Sequence, residues 1–501
     1  ATGEELVTSF RRAYHRHYVL ADVVGAMSAP FVAIGGDAAG LSAASKCKRE
    51  NPDRDVIVFE KGSWVSYSHC GMPYFVKGEI DRLDDLLSLS PDEIDERGID
   101  LRRGHEVVEI DTGAQVVTVE TDGERIEQPY GDLLIGTGAH AVTDPIEGSH
   151  RDGVHTMHGL DSAAAVRAHL LDSATDALAD IGGEAFVDRE LVERYGAFES
   201  PQTVAIVGGG YVGVEMAEAF STNGLEVHLF QRGEHVLAPF GDAVAGVVED
   251  ELRSQGIELH LGEAVARLDG DDRVERLVCD SGAALDLDMA LVGIGIRPNT
   301  AFLTDTPIET GVADAVAVDD YGRTSVENVY AAGDCATMAH AVTGQQDWVP
   351  LGLTANRAGR AIGATVAGDP TPVGDIAGTA VVKAFEQECG RTGIVDHEAA
   401  RDAGFDPVSE TISASSRSGY YPGAAETTVT LVADRESGRI LGGTIVGTDR
   451  AAIRIDILAM ALEQDATVGE LERTDLAYAP PFSPVWDPVL TAAKVLHDAV
   501  E

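Results

Sequence analysis

The feature that most restricts how this chain can fold is a strand, glycine-rich turn and helix that occurs twice. Phe31-Val-Ala-Ile34 is a short apolar run leading into Gly35-Gly-Asp-Ala-Ala-Gly40 and a small-residue helix over Leu41–Lys48. Thr203-Val-Ala-Ile-Val207 leads in the same way into Gly208-Gly-Gly210-Tyr-Val-Gly213 and a helix over Val214–Ser221. Each reads as the opening of a dinucleotide-binding βαβ unit, in which turn and helix-start N–H groups face a pyrophosphate. One such fingerprint is weak evidence. Two in matching contexts imply two nucleotide sites on one chain.

The two units differ where the ribose is read. The first continues to Val56-Ile-Val-Phe-Glu60, followed by Lys61, and a carboxylate about 20 residues past the turn can accept both ribose hydroxyls of an adenosine. Its middle turn position is Asp37 rather than glycine, although Gly36 still lets the backbone approach a pyrophosphate. The second unit ends at Val227-His-Leu-Phe230, and Gln231-Arg232 stands where the acid would be. Without that carboxylate a 2′-phosphate is not repelled, and Arg232 can pair with it through two hydrogen bonds, so NADPH is favoured over NADH.

The 501 residues suit about three domains. A hydrophobic content of 44% with 55 Gly suits a globular α/β chain. Acidic side chains number 84 against 37 basic, a net charge of −47, which argues against nucleic-acid or anionic-membrane partners. Only six of the basic residues are Lys, and acidity of this kind points to the cytoplasm of a salt-accumulating, halophilic organism. Five Cys with no C-x-x-C imply reduced thiols and give no support to clustered metal ligation. No apolar run reaches a membrane span. Residues 1–29 read as a disordered N-terminal extension. Arg11-Arg12 and the stretch Tyr18–Ala26 leave an export signal as the lesser reading, because Asp22 interrupts the stretch.

Among the cysteines Cys70 stands out. It lies in Ser66-Tyr-Ser-His-Cys70-Gly-Met-Pro-Tyr74, after the second strand of the first unit, at an expected helix N-terminus where the dipole favours a thiolate. No second Cys follows within residues 71–78, so Cys70 must pair with an external thiol or cycle through a sulfenic acid. Cys47, Cys279 and Cys335 read as inert. Lys46, Lys48, Lys61 and Lys77, with Arg49 and Arg54, surround Cys70 in sequence, a basic cluster suited to docking a polyphosphate-bearing substrate.

Together with Ile135-Gly-Thr-Gly138-Ala139, Gly295-Ile-Arg-Pro-Asn299 and Tyr330-Ala-Ala-Gly-Asp334, these motifs resemble the flavin-dependent pyridine nucleotide–disulfide oxidoreductases over about residues 30–495. Within them the chain is similar to the single-cysteine group, nearest the coenzyme A-disulfide reductases. The resemblance implies an α/β fold of two Rossmann-like nucleotide-binding domains plus a C-terminal α+β dimerisation domain. An FAD domain (30–165 and 296–372) would be split by an NAD(P) domain (166–295) that carries an acidic surface insertion over about 170–202. Residues 373–501 would form the dimerisation domain of a homodimer.

Asp334 is implied to hold the ribityl chain of FAD. Gly138 and Lys61 join Gly35, Gly36, Asp37, Gly40 and Glu60 around FAD, and Gly295 joins the second turn around the nicotinamide nucleotide. Substrate contacts are implied at Ser42, Lys46, Arg49, Ser66 and His69. Tyr420, Tyr421 and Tyr478 are implied to reach the partner's active site, where a phenol could protonate a departing thiolate. Three positions depart from the group. Ala38 stands where oxidases and peroxidases carry a His. His69 replaces an Asn, and Trp486 occupies the place of a substrate-binding Lys. The expected activity is reduction of coenzyme A disulfide, a persulfide or another small disulfide. The alternatives are an NADH oxidase or peroxidase working through a Cys70 sulfenic acid, and a non-catalytic redox-sensing flavoprotein.

Overall fold

The computed structural model describes residues 29–171, 176–183 and 185–500. The expected N-terminal extension lies outside the described residues, save for Ala29. The repeat seen in the glycine turns extends through two whole domains. In the first, five parallel strands run in the order Val329–Ala331, Asp132–Ile135, Phe31–Ile34, Val56–Glu60, Asp100–Arg103. In the second, the order is Glu258–Leu261, Glu226–Gln231, Thr203–Val207, Met289–Val292, Val154–His155, again parallel. Each domain also inserts a three-stranded antiparallel meander, over residues 106–129 ahead of Asp132–Ile135 in one and over 265–286 ahead of Met289–Val292 in the other. The central strands Phe31–Ile34 and Met289–Val292 are buried at every position, as continuous apolar runs in a two-sided parallel sheet must be.

The turn glycines are fixed by the same packing in both units. A Cβ on Gly40 would lie 1.9 Å from the carbonyl oxygen of Gly35, and one on Gly213 would lie 1.9 Å from that of Gly208. Each helix can therefore close onto its strand only without a side chain there. The first helix, Ala38–Glu50, is covered by a later one, Gly352–Val366. Gly359 and Gly363 of the later helix sit against the backbones of Ala39 and Ala43, where a Cβ would meet a carbonyl oxygen at 2.2 Å in each case.

Two expectations of domain layout are corrected. Val154–His155 pairs with the second sheet, so the chain leaves the first domain before residue 154, not at 165. The segment expected as a surface insertion is part of the core. Its helices Ala177–Ile181 and Arg189–Gly196 bury Leu178, Ile181, Val192 and Tyr195, and Phe186 packs on Trp64 with ring centroids 5.4 Å apart. An acidic exterior hid the apolar stripe of these short helices.

The C-terminal domain is the expected α+β unit. It is a five-stranded antiparallel sheet, in the order Ala380–Ala384, Gln387–Gly393, Ile440–Gly447, Glu426–Asp434, Pro407–Ser415. It is backed by Ile455–Glu463 and Pro488–Val500. No helix among the described residues is long and apolar enough to cross a membrane.

Candidate active site

The loop that carries Cys70 is pinned along its length. Trp64 is buried and donates from Nε1 to Asp161 at 2.9 Å. Ser66 is held at φ 51°, with its N–H on the carbonyl of Gly36 at 3.1 Å and its own carbonyl accepting from Ser88 at 2.6 Å. Tyr67 donates its N–H to Oδ1 of Asp37 at 3.1 Å, and Ser68 donates to Leu86 at 2.9 Å. A 3-10 turn, His69–Gly71, then feeds the helix Met72–Lys77. Cys70 is the exposed cysteine, whereas Cys47, Cys279, Cys335 and Cys389 are buried. Burial pushes those four thiols up, to about 11 for Cys47 and Cys279 and about 12 for Cys389.

The electrostatics of Cys70 differ from the dipole argument. Burial of its sulfur, then the carboxylates of Glu215 and Asp334, push the thiol above its ordinary value. Burial of the sulfur, reinforced by these two carboxylates, works against the charged form, so a thiolate here needs a counter-charge. The preceding residue, His69, carries a proton more readily than a free imidazole. Nε2 of His69 meets Oδ2 of Asp37 at 2.5 Å, and the ring stacks on Tyr67 with centroids 4.2 Å apart. Burial works against a charged ring, but the bond and attraction of Asp37, with help from Asp334, hold His69 above its ordinary value. Thus Ala38 leaves the turn without a histidine of its own, yet His69 brings an imidazole onto it.

Beyond Cys70 the helix meets the second nucleotide unit. Tyr74 donates its hydroxyl to Glu215 at 3.3 Å, on the helix Tyr211–Thr222. Burial, with repulsion from Glu218, raises Glu215 to about 7. Sequence reasoning missed Glu215 and Tyr74. The signal for Glu215 was an acid on the otherwise apolar start of a nucleotide helix.

The two turns treat their ribose-side residues alike. Gly36 donates its N–H to Oε2 of Glu60 at 2.8 Å, and Gly62 donates to Oε1 at 2.7 Å. Gly209 donates to Oε1 of Gln231 at 3.1 Å, so the amide takes the structural place of the acid. Its NH₂ end carries no hydrogen bond among the described residues, and Arg232 is exposed. Gly138, Gly210 and Gly295 each face open space. Asp334, a half-buried carboxyl raised chiefly by burial, accepts no side-chain hydrogen bond among the described residues, which suits an acceptor for a ribityl hydroxyl. These residues fit FAD at the first turn and a nicotinamide dinucleotide at the second.

The basic cluster is largely paired internally. Lys46 bonds Glu50, Arg54 bonds Asp132 at 2.6 Å, and Lys48 donates to the carbonyls of Pro52 and Arg54. Lys77 bonds Glu79 at 2.5 Å and the buried Glu218 at 2.6 Å. Arg49 and Lys61 are exposed and form no salt bridge among the described residues. Ser42 donates to Asn356 at 2.8 Å.

The models of the pyridine nucleotide-disulphide oxidoreductase family and of its dimerisation domain match residues 30–348 and 379–488. The chain belongs to the pyridine nucleotide-disulphide oxidoreductases. It is 38% identical to the NAD(P)H coenzyme A polysulfide/persulfide reductase of Pyrococcus horikoshii over 472 residues, covering 94% of this chain and 99% of that one. It is 28% identical to the coenzyme A disulfide reductase of Staphylococcus haemolyticus, covering 90% of this chain and 96% of that one. The structure of an NAD-dependent persulfide reductase from A. fulgidus matches at a TM-score of 0.85 and 31% identity, covering 94% of this chain and 83% of that one.

Within the dimerisation domain, Tyr420 (77%), Phe482 (63%) and Val485 (64%) are strongly exposed, as are Tyr478 and Trp486. Tyr421 is less exposed, at 36%. No hydrogen bond or ring contact among the described residues joins the three tyrosines to the Cys70 loop of the same chain. Lys494 places its Nζ 5.5 Å from the centroid of the Trp486 ring.

Proposed function

We propose that this oxidoreductase uses FAD and NADPH to reduce small disulfides or persulfides of the coenzyme A type, through Cys70 alone. The carrying observation is an exposed cysteine with no cysteine partner, pinned by hydrogen bonds to the turn of one nucleotide unit and abutting the helix of the other. The names of the Pyrococcus and Staphylococcus relatives support the substrate class. When bound, FAD supplies the relay of two electrons from the nicotinamide to sulfur. The Cys70 thiolate attacks the substrate disulfide, forms a mixed disulfide and releases one thiolate; two electrons and a proton then free the second thiol and restore Cys70. In its protonated form His69, held by Asp37, lends positive charge to the loop that carries Cys70. Exposed aromatic residues around Tyr420, Tyr478 and Trp486 support a homodimer in which these side chains approach the partner's Cys70. The acidity and reduced thiols support a high-salt cytoplasmic setting.

Cys70→Ser is expected to retain stoichiometric flavin and to lose turnover of coenzyme A disulfide with NADPH. Retained turnover excludes the mechanism. Arg232→Glu is expected to raise KM for NADPH about tenfold or more while leaving KM for NADH nearly unchanged, since a charge-assisted bond to a 2′-phosphate is lost. Equal effects on both would assign Arg232 to general solvation.

A second reading, an NADH oxidase, is favoured by the imidazole that His69 brings to the first turn. A relative of that name from Methanocaldococcus jannaschii is 30% identical over 466 residues, covering 92% of this chain and 97% of that one. Oxygen consumption with NADH faster than any disulfide turnover would select it.

A further inference from the structure

The second nucleotide sheet carries imidazoles and carboxylates that disulfide chemistry does not use. On the strand Glu226–Gln231, His228 and the buried Phe230 face one side of the sheet, and the core residues Val227 and Leu229 face the other. The neighbouring strand Glu258–Leu261 runs parallel, with His228 level with Glu258 and Phe230 level with His260. Side chains two apart share a face, so the four form one grid on the sheet.

The grid has the spacing of a coordination sphere. Nδ1 of His228 lies 3.1 Å from Nε2 of His260 and 3.3 Å from Oε2 of Glu258. Ligands bonded at about 2.0–2.1 Å around a tetrahedral ion stand about 3.3 Å apart. The rings are held in place: His260 stacks on Phe230 at 4.1 Å with an interplanar angle of 6°, and His228 is 4% exposed.

Carboxylates stand at both ring nitrogens of His228, so either neutral tautomer turns a lone pair towards one of them. Its Nδ1 faces Glu258 and His260, while its buried Nε2 lies 3.5 Å from Glu226 with no hydrogen-bond partner. A proton on Nδ1 leaves the Nε2 lone pair against Glu226. A proton on Nε2 lets His260 donate to Nδ1 but turns the same lone pair towards the Glu258 carboxylate. A cation at Nδ1 resolves the conflict, and a carboxylate behind the far nitrogen is the usual support of a ligating histidine.

We propose that His228, Glu258 and His260 bind one divalent ion of the zinc class. Two imidazoles and a carboxylate suit Zn²⁺, Co²⁺ or Ni²⁺ and not Mg²⁺ or Ca²⁺, which need oxygen cages. Glu258 is exposed and His260 half-buried, which leaves a fourth position open to water. The ion ties the sheet-edge strand to the strand that ends in Gln231, next to Arg232.

The test uses the full-length flavoprotein carrying Cys70→Ser, so that the redox thiol does not compete for metal. After chelator treatment, Zn²⁺ and then Mg²⁺ are titrated by calorimetry into this protein, into versions with Glu258→Gln or His260→Gln, and into the double variant. Both substitutions lie on accessible side chains, and circular dichroism checks that the fold is kept. The expected result is a saturable Zn²⁺ site near one ion per chain, weakened about tenfold or more by each substitution, lost in the double variant and silent to Mg²⁺. Absent Zn²⁺ binding, or binding unchanged in the double variant, overturns the proposal.

Discussion

His69 and Asp37 are the two residues whose identities looked irregular one at a time, and together they form a single device. An acid in a phosphate-facing turn repels phosphate, and a histidine next to a redox cysteine has no fixed role until its partner is known. Their 2.5 Å contact gives each a reason. The bond to Asp37 holds His69 above its ordinary value, so its positive charge is present at lower pH and is lost as pH rises through that raised value. Asp37→Asn removes the charge and weakens the bond, leaving burial opposed only by the lesser pull of Asp334 and the His158 backbone, so the value falls. The alkaline limb of kcat/KM for disulfide reduction should therefore move to lower pH, measured as a pH profile against the parent enzyme. An unmoved limb would assign the proton to another group. Cys70 was legible in the sequence because its spacing from Glu60 marks a place in the fold. The pairing was not legible, because residues far apart in the chain meet only through the left-handed kink at Ser66 and the loop it shapes. The sequence-level pointer was that two departures from the family pattern fell within one site.

At the scale of elements, the duplicated turn foretold more than it was asked for. Strand, turn and helix were readable from periodicity, and the matching meanders were not, since short alternating strands in an acidic surface carry little apolar contrast. The register of the covering helix Gly352–Val366 was equally hidden. Its glycines look like weak helix formers, and only the packed structure shows that they admit the backbones of Ala39 and Ala43. Gly363→Leu should force this pair of helices apart, because its Cβ would sit 2.2 Å from a carbonyl oxygen that cannot retreat. The expected cost is about 3 kcal/mol, read as a lower Tm together with faster flavin release, since the first helix shapes the FAD turn. A Tm loss without faster release would separate helix packing from cofactor retention.

Across the whole molecule the net charge of −47 sets the sensitivity to salt. Screening shortens from about 10 Å at 0.1 M to about 3 Å at 1 M salt, so self-repulsion relaxes most over that interval. Tm should climb as potassium chloride is raised into the molar range, followed by thermal melts. A flat or falling Tm would assign the acidity to ordinary surface solvation. Two of the scarce lysines serve a buried acid. Lys77, on the helix after Cys70, and Lys383, in the dimerisation domain, converge on the buried Glu218 of the nicotinamide helix, with the N–H of Phe385 as a further donor at 2.8 Å. Each of the three domains thus contributes to one buried charge centre. An engineer exchanging a single domain with a relative would need to carry over the whole set of Lys77, Glu218 and Lys383. Otherwise the hybrid would fold around an ion that has lost its counterpart, and modular swapping in this scaffold is limited by that one carboxylate.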